Sequence, residues 1–223
     1  MNANPSDLPL PRLAKHDDDR GDTGTTRIPG TEFPMLELVP LQPSHAGLLH
    51  AWVSDPKARD WLDFGGGRQE ISKRELFLMV TSARNHARLY RLPGTQAPLG
   101  LICLNDATNL MGTAQAWVIR GVYAHAPLNV TASACILAVA TGFLDLGRHV
   151  IGSWVVANNY LSIAMHQKIG CTRSGVARQA HRVHGRCHDR LLFDITLEEF
   201  ARRYPDVPSE SGRTARSAGL VEA

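Results

Sequence analysis

The chain is poor in the features that make some proteins readable at a glance. Its four cysteines, Cys103, Cys135, Cys171 and Cys187, are far apart. No C-x-x-C pair exists, so a zinc ribbon or a dithiol redox centre is excluded, and three of the four lie in apolar runs that suit reduced, buried thiols. Lys and Arg form no block and the formal charge is only +3, which gives nucleic acid little to hold. No helix-turn-helix with a basic second helix can be drawn. No apolar stretch approaches the roughly 18 residues of a membrane span, and the N-terminus lacks a secretory apolar core. The expectation is a cytoplasmic protein that engages neither membrane nor nucleic acid.

What is present is enough apolar material for one core: 43% hydrophobic against 20% charged residues. Residues 1–33, with "KHDDDRGDTGTT", lack apolar periodicity and are expected to form a disordered arm. The tail 205–223, "PDVPSESGRTARSAGLVEA", reads the same way. Between them, residues 34–204 form the expected domain. "MLELVPL" reads as a strand, and Pro43-Ser44 opens an amphipathic helix to about Val53. A second helix follows in "ISKRELFLMVTSARNHA", with Ser72 and Glu75 at capping-box spacing. Then come strands in "RLYRL", "LGLICLN" and "AQAWVIR", a long helix over about 130–146, the strand "VIGSWVV", a helix, and a hairpin turning near His184-Gly185. Consecutive strands pair antiparallel and a strand–helix–strand step gives a parallel neighbour, so the expected fold is α/β, one mixed sheet flanked by helices.

The stretch "VVANNYLSIAMHQKIGC" (155–171) carries the most specific signal. "NYLSIAMHQKIGC" resembles the N-x-x-S…K-[LI]-G-F signature of the GNAT superfamily of N-acyltransferases, nearest its RimJ/RimL branch. "RSGVARQAHRVHGRCHDRLLFDITLEEF" is similar to that branch's closing hairpin. The resemblance spans about residues 34–200 and is strong from about 129 onward. It implies a mostly antiparallel sheet in which two parallel strands, here 114–120 and 150–156, splay apart. Acetyl-CoA, or another acyl-CoA, would insert between them, with its pantetheine along Val118 and Ile119. The pyrophosphate would rest on the start of the long helix, at Asn129, Val130, Thr131 and Ser133.

The following helix would present Asn159, Ser162 and His166 to the cofactor, residues 159 and 166 falling within about 20° of each other on one stripe. His166 stands where relatives hold a tyrosine that protonates the leaving thiolate; an imidazole serves as acid or base near neutrality. The resemblance also has gaps. Pro127 and Asn129 replace two glycines of the phosphate turn, Ala126 replaces its arginine, and Gln115 stands in place of a glutamate. Asp106 is the acid left to serve the acceptor cleft, ahead of Asp63 and Glu70. Trp61, Asp63 and Phe64, on the glycine run 65–67, would form a lid over the acceptor.

The spacing of His181, His184, Cys187 and His188 fits no standard zinc motif, so no metal is expected. The implied activity is transfer of an acetyl or other acyl group to a primary amine of a small molecule or peptide N-terminus. The departures keep two rivals open: a GNAT-like binding protein without turnover, and an enzyme drawing on another donor such as an acyl carrier protein. A homodimer is left open.

Overall fold

The computed structural model describes residues 26–121 and 129–217. Its strands are β1 (Glu37–Pro40), β2 (His86–Arg91), β3 (Gly100–Asn105), β4 (Thr113–Arg120), β5 (Val150–Val156), β6 (Thr172–Val183) and β7 (Arg186–Thr196). They form one sheet in the order β1-β2-β3-β4-β5-β7-β6. Every neighbouring pair is antiparallel except β4 and β5, which run parallel as expected of strands joined through a helix. The expected mixed sheet is therefore observed. The hairpin β6–β7 turns on His184-Gly185, both with positive φ (46° and 79°), the geometry of a two-residue type I′ loop.

Helices cover both faces. One layer holds α1 (Ala46–Ser54), entered through a 3₁₀ turn at Pro43–His45, then α2 (Pro56–Arg59) and α3 (Lys73–Val80). Ser72 and Glu75 close the expected capping box on α3. The other layer is built on α4 (Asn129–Leu144), with α5 (Tyr160–Ile169), α6 (Leu197–Arg203) and α7 (Glu210–Ser217). Period-two alternation on β4 feeds both layers: Ala114, Ala116 and Val118 pack with α4, while Trp117 and Ile119 pack with the α1–α3 layer. Thirteen of the sixteen residues of α4 are buried, because it lies on β3, β4 and β5 and is flanked by α5 and α7. A helix covered on every side is apolar on every side. Gly142 permits the close approach: a β-carbon there would meet Ile151 Cδ1 at 2.6 Å.

Two expectations need correction. The arm does not extend to residue 33, since Ile28 and Phe33 are buried in the main core and residues 27 and 34 form a β-bridge. Nor does residue 205 begin a loose tail. Val207 is buried, and Glu210 at the start of α7 binds both His86 (2.9 Å) and Arg88 (2.8 Å) on β2. In both segments a few spaced apolar residues, and at the C-terminus a clamping carboxylate, supply what the average composition hides. Residues 1–25 and 218–223 lie outside the described residues, as do Ala126 and Pro127.

Candidate active site

The parallel pair supplies the site. β4 and β5 share only the rungs Thr113↔Val150, Ala114↔Ile151 and Gln115↔Gly152. Residues 116–120 and 153–156 continue as strands without pairing to each other. The two strands thus part toward their C-terminal ends in the middle of the sheet, leaving backbone donors and acceptors that a ladder would otherwise use.

One wall of this cleft belongs to α4 and α5. Asn159 caps α5, its Oδ1 accepting from Ser162 N at 3.2 Å. Gly170, at φ 89°, ends the helix in the left-handed region. His166 lies between, 8% exposed and 5.0 Å from the ring centroid of Phe193 on β7. Its Nδ1 is 2.7 Å from the Ser162 carbonyl, which can only accept, so Nδ1 carries the proton. Burial lowers the His166 pKa below the ordinary histidine value, outweighing the opposite pull of that carbonyl. At neutral pH the ring is neutral, and Nε2, which has no hydrogen-bond partner among the described residues, offers a lone pair. That suits a base; the proton-donor role implied by the family tyrosine would need the imidazolium that burial disfavours.

The start of α4 differs from expectation in its side chains. Ser133 is fully buried and donates back to the Asn129 carbonyl (3.0 Å), and Val130 is fully buried in the main core. Thr131 Oγ1 is 3.4 Å from the Tyr90 hydroxyl, which donates to the Ile119 carbonyl at 3.3 Å. Asn129 Oδ1 accepts from Lys168 Nζ at 3.1 Å. What this end offers an anion is the first-turn N–H groups, which a helix does not use internally, and the neighbouring Lys168, a residue the sequence reading passed over. Val118 and Ile119 direct their side chains into the two cores, so it is their backbone that can line the cleft.

The opposite wall joins parts of the chain far apart in sequence. Trp154 stands on β5 two residues past the last rung, and the Arg190 guanidinium sits 3.9 Å over its ring. Arg190 Nη2 donates to Asp63 Oδ2 (2.5 Å) and to His181 Nδ1 (3.1 Å). His181 Nε2 in turn donates to the Asp60 carbonyl (2.8 Å), which fixes the tautomer. Asp63 Oδ1 accepts from Gly65 N and Gly67 N, closing the glycine run whose three φ values are all positive. Burial raises the Asp63 pKa, but Arg190 and the two backbone donors outweigh it and hold the carboxyl below its ordinary value. The segment from Trp61 to Phe64 does lie on this side, yet Asp63 is saturated by the protein and anchors the loop.

Asp106 is elsewhere. It follows Asn105, the partner of Gln115, and so lies past the paired end of β4, where it is half exposed and bound to Arg84 at 2.6 Å. It is no base for the open end of the cleft. The residues missed by sequence reasoning are Trp154, His181 and Arg190. The hairpin's "HRVHGRCHDR" signalled only polarity, because its meaning depends on a loop about 120 residues earlier. Among the described residues, no group of three or more metal-ligating side chains converges.

No family model and no curated protein sequence matches the chain. Solved structures do. A spermidine N-acetyltransferase from Vibrio cholerae, in complex with CoA and spermine, superposes with a TM-score of 0.64 at 15% identity, over 74% of this chain and 97% of that one. The same enzyme in complex with manganese ions gives 0.62 at 16% identity, over 75% and 96%. An acetyltransferase of the GNAT family from Bacillus anthracis gives 0.61 at 16% identity, over 75% and 98%. At such identities the likeness is one of architecture: the chain has the fold of the GNAT acetyltransferases.

Proposed function

We propose that the protein is an N-acyltransferase that moves an acetyl group from acetyl-CoA to a primary amine. The observation that carries this reading is the parallel pair that stops after three rungs between the N-terminal ends of α4 and α5. The residues present fit such a donor. Unpaired strand backbone suits an amide-bearing pantetheine arm, and the first turn of α4 with Lys168 suits a pyrophosphate. The thioester would supply an activated acyl carbon. The chain's own part is to hold an amine in line with it, to polarise the carbonyl oxygen with strand N–H groups, and to take up the proton the amine gives away. His166 Nε2 is the group for that last task, because its partner nitrogen is already committed to Ser162.

Two features favour a second reading, a binding protein without turnover. Gln115, exposed beside Gly152 at the last rung, is a carboxamide and takes no proton. Asn129 has its side-chain oxygen engaged by Lys168. Calorimetric titration with acetyl-CoA, followed by amine-dependent release of free CoA thiol, tests both. Binding with release supports the enzyme, binding without release for any amine supports the second reading, and no binding ends both.

A further inference from the structure

We infer that Arg190 selects the acceptor, and that the acceptor carries a neutral oxygen, a carbonyl or hydroxyl, within a few bonds of its amine; a polyamine does not meet this requirement. The inference rests on the acyltransferase reading above and concerns the wall opposite His166. On that wall the side-chain acceptors around Arg190 are engaged within the protein. Asp63 Oδ1 takes two backbone N–H groups and Oδ2 takes Arg190. His181 is neutral, with Nε2 donating to Asp60 and Nδ1 accepting from Arg190. The Asp60 carboxylate meets His184 at 3.2 Å, and its carbonyl also receives Gln69. Both Asp63 oxygens and both His181 nitrogens are thus taken, which leaves, among the described residues, no side-chain acceptor beside Arg190 for a second ammonium group.

What is left over is a donor. Arg190 Nε is fully buried and, among the described residues, has no hydrogen-bond partner. A buried N–H without a partner is rare because it forfeits water and gains nothing. This one belongs to a guanidinium stacked on Trp154, a residue of the opened part of β5. Its charge is already balanced by Asp63, so a neutral oxygen satisfies it without a second desolvated charge. The adjoining loop, residues 63–68, turns on three glycines and is tied to Arg190 through Asp63, which gives an incoming group a means of displacing it.

The test pairs phenylalaninamide with 2-phenylethylamine, which lacks only the carboxamide, and adds spermidine. Each is assayed with acetyl-CoA for wild type and Arg190→Lys, a variant that keeps the charge opposite Asp63 and loses the Nε–H. We expect Arg190→Lys to lower kcat/KM for phenylalaninamide about 10- to 100-fold more than for 2-phenylethylamine, the span of one hydrogen bond to a charged group. Because the variant is compared with wild type on each amine, differences in amine basicity cancel. Spermidine should be the poorest wild-type substrate. Equal losses on both aromatic amines, or a wild-type preference for spermidine, would overturn the inference and leave Arg190 as a loop anchor. If acetyl-CoA fails to bind, the acyltransferase reading itself falls. Where acetyl-CoA binds but turnover is absent, or the variant does not fold, calorimetry of the two aromatic amines on the wild type decides. Tighter binding of the amide supports the inference, and equal affinity or no binding of either amine overturns it.

Discussion

The two walls of the splay are made by opposite means. The α4–α5 wall is apolar and local: a helix buried on nearly every side, and a short capped helix whose one buried imidazole bonds to its own preceding turn. The opposite wall is a polar network of Asp63, His181 and Arg190 around Trp154, assembled from a loop and three strands. The first wall is stiff because its parts are covalent neighbours packed against a core. The second holds only while each long-range partner is in place. The proposed base sits on the first wall, and the proposed selector of the acceptor sits on the second.

Removing His166 should have the largest effect. His166→Ala is expected to lower kcat by about 10²–10⁴, the range of general base catalysis, with little change in affinity for acetyl-CoA. Steady-state kinetics on a folded variant check this, and a rate near wild type would reduce that wall to a scaffold. On the other wall the loss should appear as stability. Asp63→Ala leaves the Arg190 charge buried without its partner, the two side chains being only 11% and 16% exposed. Breaking such a pair costs about 3–5 kcal/mol, read as a lower urea midpoint.

A pH scan sets the walls side by side. Burial lowers the pKa of both His166 and His181 below 6.5, so below that pH the unfolded chain takes protons that the folded chain refuses. Stability from both is complete above about 6.5 and declines as pH falls through the folded values. Removing either histidine should flatten that decline; a slope unchanged in both variants would contradict it. The smallest effect is expected far from the cleft. Thr196 and Glu199 form a reciprocal cap on α6, and Thr196→Ala should cost about 1 kcal/mol with activity retained.

The same contrast explains what the sequence disclosed. The strands, the long helix, the capping box at Ser72 and the His184-Gly185 turn rest on short-range signals, the splay between strands 114–120 and 150–156 on the family resemblance, and all are found in the structure. The cap on α6 was equally local in "TLEE" but was absorbed into the reading of the hairpin. Ile28, Phe33 and Val207 were hidden by the polar residues around them, since burial of a single side chain leaves no period. Arg190 was beyond reach, because nothing near it in sequence announces Asp63 or Trp154. Asp106 drew interest as an acid ending a strand, but it ends the strand at the closed side of the sheet.

The three-rung junction between β4 and β5 also bears on how amide protons exchange with water. In an ordinary seven-stranded sheet the central strands protect their amides best and the edges worst. Here the sheet is two blocks, β1–β4 and β5–β7, buttoned together at one end and otherwise held by α4, which packs against both. Amides of residues 116–120 and 153–156 that point across the gap should therefore exchange like those of edge strands, although they lie at the middle of the molecule. Any ligand that lies between them would act as an extra strand, and its arrival would be visible as protection gained at the centre of the sheet and nowhere else.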